Sequence, residues 1–302
     1  PSEALRGLEI EIWHAWSGPT AAALEDLLTQ FNIENEFGLR ATARGFESYT
    51  ALSKAITAAI QQGRLPNLAA AYSSHYLAWQ AVAQVVVDLT PYLDDPATGL
   101  DAATQADFYP AFWAQDLIAG QRLGLPAQRS GLVMFYNVTW AKELGFSTPP
   151  STPEEFMAQA CAAAAANNAD ETPENDGTGG WFIDPSASSI TGWIYAFGGT
   201  LENPAGGYTF ATPETEAAFT FLHTLAEQGC AWKPAQRFPN AEFAARQGLF
   251  YSSSVAGIPF QVTAMDKAGS LDQWTAIPLP SVTGKPVLDV YGPSFVMLES
   301  PM

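Results

Sequence analysis

Charge is scarce in this 302-residue chain, and positive charge most of all. Charged residues make up 15% of it, with 13 lysines and arginines against 31 aspartates and glutamates, a net charge of −18. So acidic a surface repels phosphate backbones, which argues against nucleic acid as a partner, and no polybasic run is present to hold an anionic membrane surface. Cysteine is nearly absent: Cys161 and Cys230 stand far apart, so no Cys-x-x-Cys supports a zinc site or a thioredoxin-like dithiol. The three histidines, His14, His75 and His223, show no metal-binding spacing. No uninterrupted apolar run reaches the ~18 residues a membrane-spanning helix needs. The longest, residues 81–89 and 161–166, are short and small-residued.

Catalytic signatures are missing as well. There is no G-x-S-x-G, P-loop or G-x-G-x-x-G, and the glycines of residues 177–180 follow no strand. The acidic loop 170–176 misses the calcium-loop register, because Thr172 and Ile183 stand where the first aspartate and last glutamate belong. Asp94-Asp95 and Glu154-Glu155 are adjacent pairs, and neighbours in sequence rarely face each other across a glycosidic bond. Glu154 and Glu155 already have a role in a helix first turn. No catalytic residue, metal site or cofactor is therefore expected.

What the chain does have is apolar material: 47% hydrophobic residues, including 9 Trp, 10 Tyr and 18 Phe. That is ample core for two domains of ordinary size. Residues 8–13 alternate as a strand, a helix opens at Gly18-Pro19, and strands at 39–43 and 68–72 flank an amphipathic helix at 48–62. A further helix is expected over 76–84. This β-α-β-α-β-α order predicts an α/β domain with a largely parallel sheet. Beyond a turn-rich acidic stretch at 91–110, strands are expected at 121–126, 131–137, 274–278 and 287–291. Helices are expected at 139–144, 189–197 and 242–247. Two more carry N-terminal signals: Thr152-Pro153 with a capping box to Glu155, running to about 167, and Thr212-Pro213, running to about 228. Residues 168–180 read as a polar loop. Cys161 and Cys230 allow either a bridge, with a loop closure contributing about 4 kcal/mol, or two buried free thiols.

Several aromatics fall where strands end and helices begin: Trp16, Tyr72, Tyr76, Trp193, Tyr251 and Tyr291. Ligands of open α/β sheets bind beyond the carboxyl ends of strands. Aromatic faces beside Ser and Asn groups suit a polyol, whose C–H face stacks on a ring while its hydroxyls find polar partners. His14 and His75, at strand ends, are candidates to line such a site.

A run of segments then resembles, in order, the extracellular solute-binding proteins of ABC importers, in their sugar-binding, maltose-binding-protein-like cluster. The segments are residues 9–18 (IEIWHAWSG and its surroundings), 31–38, 58–68 (AAIQQGRLPNL), 85–93, 122–156 (RLGLPAQRSGLVMFYNVTWAKELGFSTPPSTPEEF), 197–201, and 274–287 followed by 291–295. The resemblance implies a two-lobed periplasmic-binding-protein-like α/β fold of type II, with a hinge and an interlobe ligand cleft. Residues 1–126 would form the N-terminal lobe, with 292–302 beginning its return, and 127–291 the second lobe. It implies ligand-binding residues at Trp16, Ser17 and Gly18; at Tyr72, Ser73, Ser74 and His75; at Arg129, Ser130 and Gly131; at Ser188, Ser189 and Trp193; from Tyr251 to Ser254; and at Tyr291 and Gly292. It further implies a non-enzymatic monomer that hands a saccharide to permease subunits. Its place would be outside the cytoplasm, periplasmic or lipid-anchored, after export by a signal segment not in this chain. The family pattern continues past Met302, so the full gene product is expected to be longer. Residues 45–68 also resemble the subgroup that binds glycerol 3-phosphate or glycerophosphodiesters, for which Arg129 or the helix starts near Ser17 and Ser73-Ser74 would be the phosphate partner. A secreted glycoside hydrolase is a lower alternative, and an adhesion module without a small-molecule pocket a third.

Overall fold

A computed structural model describes residues 5–97, 99–203, 207–236 and 238–299. The expected return segment beyond residue 299 lies outside the described residues. The chain forms two compact units: residues 1–129 with 291–302, and the continuous stretch 130–290.

The first unit runs β1 (Glu9–His14), α1 (Gly18–Glu34), β2 (Arg40–Gly45), α2 (Tyr49–Gln62), β3 (Leu68–Ala71) and α3 (Ser73–Ala83). Short elements follow: α4 (Thr90–Leu93), α5 (Ala102–Asp107), α6 (Pro110–Ala114), β4 (Leu117–Ile118), β5 (Gln121–Arg122) and β6 (Leu125–Pro126). The second unit contains β7 (Ser130–Asn137), α7 (Val138–Glu143), α8 (Pro153–Ala169), β8 (Gly179–Phe182), α9 (Ala187–Ala196), α10 (Pro213–Glu227) and β9 (Ala231–Trp232). It continues through α11 (Asn240–Ala244), β10 (Gly248–Ser254), α12 (Ile258–Ala268), β11 (Trp274–Ile277) and β12 (Val290–Tyr291), whose last residue begins the return to the first unit. The chain then adds β13 (Ser294–Met297).

The first unit's sheet has the order β2-β1-β3-β13-β6. Its first three strands are parallel, and β13 enters antiparallel between β3 and β6. Helices cover both faces, because alternate side chains of a strand point to opposite sides. Trp13 packs with Leu52 and Ile56 of α2 and with Tyr76 and Trp79 of α3. Its neighbour Ile12 packs with Leu24 and Leu28 of α1 on the other face. Helix α2 starts at Ser48, whose side chain accepts the Ala51 amide, and stops at Gly63 with a left-handed φ of 63°.

The second unit's sheet is mixed, in the order β11-β7-β10-β8-β9, with β12 also on β7. Strands β8, β9 and β10 are parallel, while β7 runs against β10 and β11. Helix α8 carries the full Thr152/Glu155 capping box. Its alanine face lies unusually close to β8: a methyl group on Gly179 would come within 2.5 Å of the Ala163 carbonyl, and one on Gly180 would run into the Cys230 carbonyl. Cys161 and Cys230 are bridged at this seam, closing a separation of 69 residues and tying α8 to the start of β9.

The structure differs from the sequence reading in places. The strand expected over 121–126 divides into β5 and β6 around Gly124, which sits against Ser294, Val296 and the Phe295 carbonyl. Strand β8 lies where a loop was expected to continue, since its Gly-Gly start carries no strand propensity. Helix α12 has an inverted pattern: Phe260 and Val262 are exposed and Gln261 is fully buried. Only Val290 and Tyr291 of the stretch 287–291 form a strand.

Candidate functional site

In the first unit, the loops leaving β1, β2 and β3 at their carboxyl ends bring together Trp16, Tyr49 and Tyr72, and the returning chain adds Tyr291 and Phe295. The Trp16 and Phe295 rings meet edge to face at 5.5 Å, and Tyr49 and Tyr72 likewise at 4.5 Å. Burial raises the Tyr72 phenol above its ordinary value, and the nearby Tyr291 phenol adds to that. Burial raises Tyr49 in the same way, with Tyr72 adding and the adjacent Trp16 opposing. These hydroxyls are therefore neutral donors and acceptors throughout the physiological range. Trp16, Tyr72 and Tyr291 are half-buried, while Ser17, Gly18, Ser73 and Ser74 are exposed. Ser17 and Tyr72 precede α1 and α3 and make no side-chain cap bond. The opening amides of both helices thus remain beside the aromatic group. His75 contacts Tyr72 at 6.0 Å and Trp79 at 6.3 Å. Its Nδ1 is buried without a partner, and burial lowers its pKa, so it is neutral.

Arg129 is engaged within its own unit. Its side chain is 3% exposed, and its Nη2 lies 2.8 Å from Asp116 Oδ2. It also donates to the Pro293 carbonyl and to Ser294 Oγ. Asp116 further accepts the Tyr76 hydroxyl and Ser294 Oγ. This buried network joins the outgoing stretch at Arg129 to the returning stretch at Pro293 and Ser294. Gly292 belongs to the same junction: a side chain there would collide with the Gln128 carbonyl.

In the second unit, the carboxyl ends of β8, β9 and β10 enclose a cavity of about 230 Å³ lined by Phe182, Asp184, Lys233, Gln236, Tyr251 and Ser252, among others. Tyr251 is fully buried, with its hydroxyl 2.7 Å from Gln261 Oε1 and 2.8 Å from Asn240 Oδ1. Asp184 accepts the amide and hydroxyl of Ser186 and so shapes the turn into α9. Ser130 and Ser254 share a hydroxyl–hydroxyl hydrogen bond, and Gly131 follows beside the Asp289 carbonyl. Ser188 is half-buried. Ser189 and Trp193 are fully buried, and Trp193 packs among Phe156, Trp181 and Phe221. The sequence reading placed both at a ligand; in this structure they are core residues of α9.

Tyr49, Asp184, Lys233 and Gln236 were not singled out from sequence. Tyr49 and Asp184 follow strand ends, so the positional rule that picked Trp16 and Tyr72 applies to them too. Lys233 and Gln236 follow a two-residue strand that leaves no periodicity to read. Among the described residues, no group of three or more His, Cys, Asp or Glu could hold a metal ion, and no helix is long and apolar enough to cross a membrane.

Residues 26–299 match the model of a family described as bacterial extracellular solute-binding protein. No curated protein sequence matches the chain. Among solved structures, the cyclic alpha-maltosyl-1,6-maltose binding protein of Arthrobacter globiformis is 20% identical with a TM-score of 0.72, the match covering 97% of this chain and 71% of that one. The sugar-binding protein MalE of Xanthomonas citri is 18% identical with a TM-score of 0.76, covering 97% and 71%. UgpB of Mycobacterium tuberculosis, solved with glycerophosphocholine, is 18% identical with a TM-score of 0.77, covering 97% and 73%. The fold is that of the two-lobed sugar-binding proteins.

Proposed function

Because the chain belongs to the bacterial extracellular solute-binding proteins, we propose that it is the substrate-binding component of an ABC importer and that its ligand is a neutral saccharide. The observation that carries the ligand class is the aromatic group Trp16, Tyr49, Tyr72 and Tyr291, set beside exposed serines at the starts of two helices that have no side-chain cap. Ring faces take the apolar side of a sugar, and neutral hydroxyls and amides take its polar edge. A site built on hydroxyl recognition rejects analogues that lack those hydroxyls, because its own polar groups are then left unpaired.

In this reading the second unit contributes its own polar surface around Asp184, Gln236 and Ser254. Ligand touching both units stabilises a closed arrangement, so binding shifts a hinge population, and the closed complex is what a permease accepts. The bridged cysteines accord with an oxidising compartment, periplasm or outer face of the cell membrane. The protein works as a binding protein without turnover, and as a monomer.

A second reading, a glycerophosphodiester ligand, is supported by the likeness to the Mycobacterium tuberculosis protein. Against it, Arg129 is buried against Asp116 and cannot also clamp a phosphate. A thermal-shift and calorimetry screen with mono- and oligosaccharides, glycerol 3-phosphate and glycerophosphocholine tests the choice. A ligand at 100 times its Kd adds about 2.7 kcal/mol of stability. A shift with one sugar series and no turnover is the expected result. A shift with the phosphate ligands alone overturns the saccharide assignment.

A further inference from the structure

His14 is the last residue of β1 and is 4% exposed. Its Nδ1 accepts the backbone N–H of Trp16 at 3.1 Å, and its ring stacks on the Trp16 ring with centroids 5.6 Å apart. The partner strand makes room for it: Gly45 pairs with His14, and a methyl group at Gly45 would sit 3.5 Å from the imidazole. Beside its contacts with Phe295 and Tyr49, Trp16 is thus held to the end of the sheet by one hydrogen bond and one stacked ring from the same side chain. An imidazole nitrogen accepts a hydrogen bond only while it is unprotonated.

We propose that His14 is a positioning residue for Trp16, holding the loop over residues 15–17 in place only while its imidazole is neutral, so that mild acid releases the ring from the ligand platform. The ligand consequence rests on the function proposed above; the tether itself does not.

The surroundings fix the direction of the effect. Burial holds His14 below the ordinary histidine value of 6.5, outweighing Glu25 on α1 and the Trp16 backbone, which pull the other way. Strand β2 presents Gly45 opposite His14, and its Arg44 lies over the Trp13 ring, whose side chain packs on the opposite face of the sheet. Lys54 of α2 belongs to that opposite face too, and β3, over residues 68–71, carries no titratable group. The neutral ring thus dominates at pH 7. The tether is complete above pH 6.5 and is lost as pH falls through the lowered folded-state value.

The test is a nitrogen–proton spectrum of protein labelled with 15N-tryptophan, in which Trp16→Phe identifies the Trp16 amide by its disappearance. Between pH 8 and pH 4.5 (about) the Trp16 amide should move with one midpoint below the ordinary histidine value. Glu25→Gln, on the exposed surface of α1, should lower that midpoint, since it removes the charge that favours the imidazolium. His14→Asn offers a side-chain oxygen to the same N–H without titrating, and should leave the amide fixed. Maltotriose affinity, followed by calorimetry, should weaken by up to about tenfold per pH unit below the midpoint in the parent protein and stay level in His14→Asn. An amide that does not titrate, or that titrates alike in His14→Asn, overturns the proposal. A titrating amide with a pH-independent maltotriose constant overturns the link to the ligand. A titrating amide in a protein that binds no saccharide at pH 7.5 (about) upholds the tether and rejects the saccharide reading instead.

Discussion

Arg129 and Asp116 show how little of a side chain's identity decides its use. An arginine in a cation-poor chain, at the point where the backbone leaves one unit for the other, has the chemistry of an anion receptor. Here a buried carboxylate, a carbonyl and a serine take donors of its Nη1 and Nη2, while Nε is buried without a partner. Removing one partner of such a pair leaves an uncompensated buried charge, which costs about 3–5 kcal/mol. Asp116→Asn should accordingly lower the calorimetric melting temperature by several degrees or more, while Glu143→Gln, on a partly exposed pair with Arg246, should change it little. Trp16→Ala should act in the opposite sense. The ring is half-buried, so the melting temperature should fall less than for Asp116→Asn, but saccharide affinity measured by calorimetry should fall about tenfold or more, as for loss of an aromatic anchor.

At the scale of elements, the seam between α8 and β8 sets the second unit's geometry. Ala160, Ala163 and Ala164 meet Gly179 and Gly180, so the helix approaches the strand closely enough for the Cys161–Cys230 bridge to span it. Gly180→Ala should be among the most damaging single substitutions in the unit, because the added methyl meets backbone atoms that cannot turn aside. Reducing the disulfide, or Cys161→Ala with Cys230→Ala, should lower the denaturant midpoint by an amount equivalent to about 2–5 kcal/mol. The same seam marks the limit of sequence reading. Capped helices such as α8 and α10 announce themselves through Thr-Pro starts, and β1 through its alternation. Strand β8 does not, since its Gly-Gly start is chosen for closeness to a helix that lies elsewhere in sequence. Helix α12 does not either, since it buries Gln261 to satisfy Tyr251 and turns Phe260 and Val262 outward. In the candidate site, the strand-end rule picks Trp16 and Tyr72 because their strands are legible. It also picks Trp193, and the family resemblance picks Ser189, both fully buried on α9, because nothing local distinguishes the turn at Asp184 from the buried helix face that follows it.

At the scale of the whole molecule, the proposed function predicts a smaller radius of gyration in solution when ligand is bound. X-ray scattering with and without saturating saccharide should show that decrease for the parent protein and none for Trp16→Ala at the same ligand concentration. The connectivity has a consequence of another kind. The second unit is continuous, whereas the first is interrupted by all of it, and β13 is an interior strand of the first unit's sheet, hydrogen-bonded on both edges. During synthesis from the amino terminus, residues 130–290 are complete before residues 294–297 exist. Until β13 arrives, β3 has no partner on one side, Asp116 and Arg129 lack Ser294, and Val296 is missing from the core around Trp13. The first unit is therefore closed only after the second has been made, and this long-range closure keeps its amino-terminal part without a compact core throughout the synthesis of residues 130–290.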